Sequence, residues 1–189
     1  TPADYTNLSN PQTVWIRVAY NATGCEKITS LELIVNPLPV LVDPSPLLLC
    51  DDNAPGDEQE AFTLEDREGQ ILNGQTGLDF SYHLTQLDAE ANSSPLSSTY
   101  TNISNPQTVF VRVSNQVTGC YDFTSLTLEV LPIPVPQTPA NIDLCDDNAS
   151  GNGQEVFDLT QNETFLLDGE LGVTPTYHET LTDAEAGTN

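Results

Sequence analysis

The chain has 189 residues, of which 28 are Asp or Glu and only 4 are Lys or Arg, so its formal net charge is −24. A surface of one negative sign repels other polyanions, which argues against nucleic acid and anionic membrane surfaces as partners and favours divalent cations as counter-charge. The sequence has no run of 18 apolar residues and no basic-then-apolar leader, so we expect neither membrane insertion nor a signal peptide in this segment.

One hexapeptide sets the organisation of the chain. Residues 49–54, LCDDNA, return unchanged as residues 144–149, 95 positions later, and a period of this length implies a whole small domain per repeat. Proline-rich segments after each hairpin indicate stiff linkers. We therefore predict the end of one repeat at residues 1–38, a complete repeat at 39–134 and the start of a third at 135–189. The partners of each repeat are then neighbouring repeats of a longer array.

The first predicted element is a β-hairpin. Residues 13–18 and 28–35 both alternate apolar and polar positions, which is typical of strands with one buried face. A glycine-containing turn at residues 21–25 joins them. The same pattern returns one period later at residues 109–113 and 123–130, so each repeat is predicted to end in this hairpin.

Shorter elements follow the first linker. Residues 61–64 and 80–84 predict two strands, and residues 156–159 repeat the first of them. Thr85 and Asp88 have the spacing of a capping box, which predicts one short helical turn per repeat. Short strands with closely spaced turns and no long helical period predict an all-β fold, a tandem array of immunoglobulin-like antiparallel β-sandwiches.

The acidic loop after residue 50 resembles the first half of a calcium-binding loop, in which oxygens at alternate positions converge. Phe62 stands where an EF-hand has its bidentate glutamate, so an EF-hand is excluded. The loop can still gather oxygens around Ca²⁺, and an Asx-rich turn that bonds its carboxylates to backbone amides is the alternative. The candidate calcium ligands are Asp51, Asp52, Asn53, Asp57 and Glu60, and in the second copy Asp146, Asp147, Asn148, Asn152 and Glu155.

Each repeat carries two cysteines. Cys25 and Cys120 lie in the hairpin turns, whereas Cys50 and Cys145 precede the acidic loops. An even number of cysteines in an acidic, secreted array favours disulphides over a metal site. We favour a bond between Cys50 and Cys120 inside the complete repeat. A competing scheme joins Cys25 to Cys50 and Cys120 to Cys145, and a third arrangement places these loops at opposite poles, unpaired or bonded between neighbours.

Chemistry and surface contacts have weaker signals. No Ser, Cys or Thr has a candidate base in recognisable context, and the two histidines recur only through the duplication, so we predict that the chain is not an enzyme.

Trp15 and Phe110 occupy the same outward position of the hairpin strand. Together with Tyr100 they form a candidate surface for an extracellular polysaccharide or a solid surface, the alternative being packing against a neighbouring strand.

The run of motifs CDDN, FxL, YH with DAEA, YTNxSNPQTVxVRV, TGC and PxP resembles the tandem repeats of very large flavobacterial surface proteins. Those proteins are similar in kind to the gliding-motility adhesins exported by the type IX secretion system, and the resemblance covers essentially the whole chain. It implies immunoglobulin-like modules in an extracellular filament at the cell surface. The expected function is a structural stalk that extends an adhesin, and the alternative is a carbohydrate- or surface-binding module.

Overall fold

The computed structural model describes residues 4–147 and 151–188. Two compact units divide between Leu131 and Pro132. The described helices are five or six residues long, and none of them could cross a bilayer. The elements of the first unit are β1 (Gln12–Ala19), β2 (Glu26–Leu33), β3 (Leu47–Cys50), β4 (Ala61–Thr63), α1 (Glu68–Leu72), β5 (Leu78–His83), α2 (Gln86–Ala91), β6 (Thr99–Thr101), β7 (Gln107–Asn115) and β8 (Tyr121–Leu131).

The predicted hairpins are confirmed in both copies. β1 pairs with β2 and β7 pairs with β8, both antiparallel, and Val14 faces Leu31 as Val109 faces Leu126 one period later. Each turn contains a glycine in the left-handed conformation, with φ of +72° at Gly24 and +71° at Gly119. Glycine adopts this conformation more readily than other residues.

The complete repeat has two sheets, which confirms the predicted β-rich sandwich. The larger sheet has the order β3-β8-β7-β5, and β4 pairs with β6 in a smaller one. One pairing departs from the all-antiparallel expectation, since β3 runs parallel to β8 with Leu47 beside Leu128. Parallel pairing requires a long crossover. The chain from residue 51 to residue 120, which contains β4 to β7 and both short helices, forms that crossover.

The core of the complete repeat lies between these sheets. Along β7 the buried positions alternate with half-exposed ones, which is the pattern that one buried sheet face produces. The fully buried apolar side chains come from β7 and β8 on one side and from the segment of β4 and α1 on the other. They are Val109, Val111, Val113, Leu126 and Leu128, and Phe62, Leu64 and Ile71.

The predicted helical turn is α2, and its cap is confirmed. The Thr85 side chain accepts the N–H of Asp88 at 3.1 Å. Arg112 of β7 donates to the carbonyl of Ala89 at 2.8 Å and stacks on the ring of Tyr121. These contacts hold α2 against the outer face of the larger sheet.

A second short helix, α1, was not predicted. It follows a 3₁₀ turn at Leu64–Arg67 and contributes Ile71 to the core. The hydroxyl of Tyr82 donates to Glu68 at 2.6 Å, and burial of the phenol raises the pKa of Tyr82 far above its ordinary value. Five residues carry too little periodicity for a helix to be recognised from sequence, so tertiary packing decides this element.

The proline segment is bound to the repeat over most of its length. Gln75 accepts the backbone N–H of Val40 at 3.1 Å, and Arg67 donates to the carbonyl of Ser45 at 3.1 Å. Before these contacts, Val35 is bonded to Asn10 of the preceding hairpin at 2.9 Å. Residues 36–39 are therefore the stretch of linker between one set of anchoring bonds and the next.

The second unit repeats the first half of this architecture. It contains a 3₁₀ turn at Leu159–Asn162 and the helices α3 (Glu163–Leu167) and α4 (Leu181–Ala186). The predicted strand at residues 156–159 is wrong, because residues 156–158 are irregular and Leu159 begins the 3₁₀ turn. In the complete repeat the equivalent strand, β4, exists by pairing with β6, and the described part of this unit contains no such partner strand.

Candidate functional site

The candidate site is the end of the complete repeat at which β3 and β8 both stop. Cys50, the last residue of β3, is paired with Leu131, the last residue of β8. The backbone N–H of Asp51 continues the ladder by donating to the carbonyl of Leu131 at 2.9 Å. Cys50 is exposed. The thiol therefore lies on the surface where the chain leaves the repeat.

The acidic loop next to this cysteine is closed by its own carboxylates. Glu60 accepts the backbone N–H groups of Asp52 at 3.0 Å and Asn53 at 2.9 Å, and its second oxygen accepts the Asn53 side-chain amide at 2.7 Å. Asp51 accepts the N–H of Gly56 at 2.6 Å. Asp51 and Glu60 are only 4% and 5% exposed. This geometry matches the Asx-rich turn predicted as the alternative to a calcium loop.

Asn102 ties the loop to the rest of the repeat. Its Oδ1 accepts the N–H of Glu60 at 2.7 Å, and its Nδ2 donates to the carbonyls of Glu58 at 2.8 Å and Ser104 at 3.0 Å. Asn102 is fully buried, and Glu58 has a left-handed φ of +56° that these bonds help to hold. Sequence analysis missed Asn102. The available signal was its recurrence, since Asn7 holds the same place in the YTN motif.

The loop favours the charged form of Glu60. The backbone N–H of Asn53 is the main cause of a lowered pKa of this carboxyl, and the side chain of Asn53 and the N–H of Asp52 act in the same direction. Burial alone would raise the pKa, so the donated hydrogen bonds outweigh desolvation here. Glu60 is thus a structural anion that organises backbone amides.

Glu60→Gln is expected to loosen the loop at neutral pH. An unfolded glutamate titrates near about 4.3. Because the folded pKa lies lower, the stabilisation is present above the unfolded pKa and is lost as pH falls through the folded one. Urea midpoints of the two proteins should therefore differ at pH 7, and the difference should shrink as pH falls below about 4.3. Glu58→Gln removes one charge from the same loop and serves as control. A difference that stays constant down to pH 3 would contradict this role.

The second acidic loop has the same construction. Asp146 accepts the N–H of Gly151 at 2.6 Å, as Asp51 accepts that of Gly56. The N–H of Asp147 donates to Glu155 at 3.0 Å, in the same way that Asp52 donates to Glu60. Asn148, another predicted ligand, lies outside the described residues. The repetition shows that the loop geometry belongs to the repeat rather than to one copy.

Several of the predicted calcium ligands accept hydrogen bonds from the backbone of their own loops. Asp57 and Asn152 each accept, at 2.8 Å, the backbone N–H two residues later, as in an Asx turn. One oxygen each of Asp51 and Asp146 is buried without a hydrogen-bond partner. Over residues 4–147 and 151–188, no group of three or more His, Cys, Asp or Glu side chains could hold a metal ion. Calcium binding by these residues stays a prediction.

The predicted disulphide between Cys50 and Cys120 is wrong. Cys120 directly precedes Tyr121, the first residue of β8, whereas Cys50 lies beside Leu131 at its other end. At roughly 3.3 Å per residue the strand separates the two thiols by about 30 Å, and a disulphide requires Cα atoms within about 7 Å. All four cysteines are free, so the competing scheme is not formed either.

The three aromatic residues of the predicted binding surface differ in how far they are exposed. Trp15 on β1 is 74% exposed, whereas Phe110 on β7 is half-buried between its strand neighbours. Tyr100 packs against the core, and its hydroxyl accepts the side-chain amide of Gln107 at 2.9 Å. Within the described residues, Trp15 alone of the three is largely free for contact. A binding surface at these residues stays a prediction.

His83 has a structural environment. It is fully buried at the end of β5. One ring nitrogen bonds the carbonyl of Ser93 at 2.8 Å and the other bonds the hydroxyl of Ser81 at 2.9 Å. Both nitrogens are thereby occupied within the protein, which is the arrangement of a satisfied core histidine.

The comparisons with known proteins agree with the repeat period. The family described as the Flavobacterium inter-domain disulphide bond domain matches residues 1–39, 46–134 and 141–189. The gaps between these matches fall on the proline segments. No curated protein matches the chain.

Proposed function

Since the chain belongs to the Flavobacterium inter-domain disulphide bond domain family, we propose that it is a structural segment of a large multidomain flavobacterial protein outside the cell. The observation that supports this most directly is one architecture repeated at constant spacing. β1 and β2 have the register of β7 and β8, and the two acidic loops close on the same bonds. Such repetition suits a module that contributes length.

The linker supports a stiff array. Residues 36–39 separate the bond between Asn10 and Val35 from the bond between Val40 and Gln75. Two prolines occupy this short stretch and restrict its backbone. A segment so short and so restricted limits the angles that successive repeats can adopt, which is the property of a rod rather than of a flexible chain.

The cysteines support an oxidising location. The family is described by a disulphide bond between domains. Cys50 is exposed and has no cysteine within reach in its own repeat, so a neighbouring repeat is the partner that this description implies. Structural disulphides persist outside the cell and are rare in reducing compartments. We therefore place the protein in the extracellular space.

The charge supports an extended form. A net charge of −24 on 189 residues makes successive acidic repeats repel one another. Repulsion disfavours collapse of an array onto itself. Our finer proposal, which also draws on the resemblance in sequence motifs, is that the repeats form the stalk of a type IX-secreted adhesin used for attachment or gliding.

A swap of repeats in the cell tests the stalk. We expect that replacing residues 39–133 of the natural protein with another repeat of the same length leaves attachment and gliding intact. The reason is that a spacer acts through its length and stiffness. Attachment to glass and to polysaccharide-coated surfaces is measured, with antibody labelling of intact cells as the control for surface display.

The same experiment separates the alternative. If this segment is a carbohydrate- or surface-binding module, the swap abolishes attachment although the protein still reaches the surface. Trp15→Ala in the natural protein provides a second test, because a spacer tolerates it and a binding surface centred on Trp15 does not. Loss of attachment in both experiments would overturn the stalk.

A further inference from the structure

The hairpin cysteine of the complete repeat lies against the end of the preceding hairpin. The Sγ atom of Cys120 is 4.0 Å from the carbonyl oxygen of Asn36. The turn that carries Cys120 is rigidly bonded, because Asn115 donates to the Cys120 carbonyl at 2.8 Å and accepts the N–H groups of Val117 and Thr118. The thiol of Cys120 is therefore held at a defined place beside Asn36. Asn36 lies three residues after the end of β2, the last strand of the preceding repeat.

Asn36 marks where the preceding repeat carries its own β3 cysteine. Asn36 lies 95 positions before Leu131, and Leu131 is paired with Cys50. In a complete preceding repeat, the cysteine equivalent to Cys50 thus stands beside Asn36. Paired strands lie about 4.8 Å apart. That cysteine and Cys120 are then both neighbours of Asn36, which brings the two thiols within the range in which a disulphide can form.

We propose that the hairpin cysteine of each repeat forms a disulphide with the β3 cysteine of the repeat before it. The proposal rests on the inter-domain role given above and specifies which thiols are joined. Cys50 is then bonded to the hairpin cysteine of the following repeat, 165 positions further along the chain. The largest separation between cysteines here, from Cys25 to Cys145, is 120 positions. No two cysteines of this chain are 165 positions apart, which accounts for the four free thiols.

The bond forms by thiol–disulphide exchange with a disulphide oxidant. The two cysteine thiols lose two protons and two electrons and become one S–S bond. The oxidant, oxidised glutathione in the experiment below, accepts them and leaves as two thiols. The junction then has two covalent connections, the linker at residues 36–39 and the disulphide.

This connectivity changes how an array carries force. From the hairpin cysteine Cys120 to the β3 cysteine Cys145 there are 25 residues, which span at most about 90 Å when fully extended. In a cross-linked array such segments alternate with disulphides and form the loaded path. The 70 residues from Cys50 to Cys120 lie off that path. Pulling therefore cannot draw out most of each repeat until the disulphides are reduced.

Two full-length chains joined through one added residue test the pairing directly, because the second copy then continues the 95-residue period. After oxidation with glutathione, non-reducing peptide mapping is expected to show Cys50 of the first copy bonded to Cys25 of the second. Cys145 of the first should be bonded to Cys120 of the second, and the other four thiols should stay free. The variant with Cys50→Ser in the first copy should lose only the first bond. Bonds within one repeat, or between Cys120 and Cys145 of one copy, would overturn the proposal.

A single substitution tests the geometry in the chain itself. Asn36→Cys is expected to form an internal disulphide with Cys120, since the Sγ of Cys120 already faces residue 36. Glu32→Cys, at an exposed position of β2 four residues before Asn36, should stay unbonded. Absence of the first bond would refute the junction geometry. This outcome is independent of the repeat swap in cells, so failure of the pairing and failure of the stalk can be told apart.

Discussion

Phe62→Ala is expected to destabilise the complete repeat by about 3 to 5 kcal/mol. Phe62 lies on β4 opposite Tyr100 of β6 and is 1% exposed. It packs against the face of the larger sheet formed by β7 and β8. Its truncation removes buried apolar contacts and leaves a cavity, because strands fixed in a hydrogen-bonded ladder relax only partly.

The second copy offers a matched control for this prediction. Phe157 has the same position 95 residues later but is 45% exposed, so Phe157→Ala should cost less than about 1 kcal/mol. Hydrogen exchange of the β7 and β8 amides measures the effect. Phe62→Ala should accelerate their globally protected exchange by more than about 100-fold, because each 1.4 kcal/mol is worth about tenfold. Equal effects of the two substitutions would contradict the distinction between a complete and an incomplete repeat.

Local pattern was sufficient for the hairpins. Alternation at residues 109–113 and 123–130 predicts β7 and β8 together with the buried face that contains Val111. Neighbouring strands joined by a short turn need only sequence-local contacts to find their register. The cap at Thr85 could be predicted for the same reason, since its partner Asp88 lies three residues away.

Burial was not determined by the local pattern. Ile16 holds the position of Val111 in the preceding repeat, yet Ile16 is 42% exposed and Val111 is fully buried. The difference comes from the strands that cover the sheet, and these lie far away in sequence. The same reasoning explains why residues 156–158 do not form the strand that β4 forms, although Phe157 repeats Phe62.

The pairing of the cysteines could not be predicted without the strand topology. Their positions in sequence fit three pairing schemes, and only the parallel placement of β3 on β8 separates them. That pairing puts Cys50 and Cys120 at opposite ends of β8, too far apart for the bond expected within the repeat. The site loop was located from its repeated LCDDNA motif. The partners of its carboxylates depend on how residues 51–60 close, which composition alone left open between a cation and backbone amides.

Asn102→Ala is expected to lower the free energy of unfolding of the complete repeat by about 3 kcal/mol. The substitution leaves the buried N–H of Glu60 and the carbonyls of Glu58 and Ser104 without the partner that now satisfies them. Asn7→Ala is the control, because Asn7 holds the equivalent position and, within the described residues, makes the counterpart of the Ser104 bond, to the carbonyl of Ser9 at 2.8 Å. Urea unfolding at pH 7 measures both, and a comparable loss for Asn7→Ala would contradict the role given to Asn102.

Asn102→Asp separates the donor from the acceptor contribution. The carboxylate keeps an oxygen for the N–H of Glu60 but places another oxygen against the carbonyls of Glu58 and Ser104. The folded state should therefore prefer the protonated acid, which can donate to one carbonyl, and the pKa of the new carboxyl should rise above the unfolded value of about 3.9. A raised folded pKa gives stability that is present at low pH and lost as pH rises. The variant should approach the stability of the wild-type chain near pH 3 and fall below it by pH 7, whereas a gap independent of pH would assign the effect to packing alone.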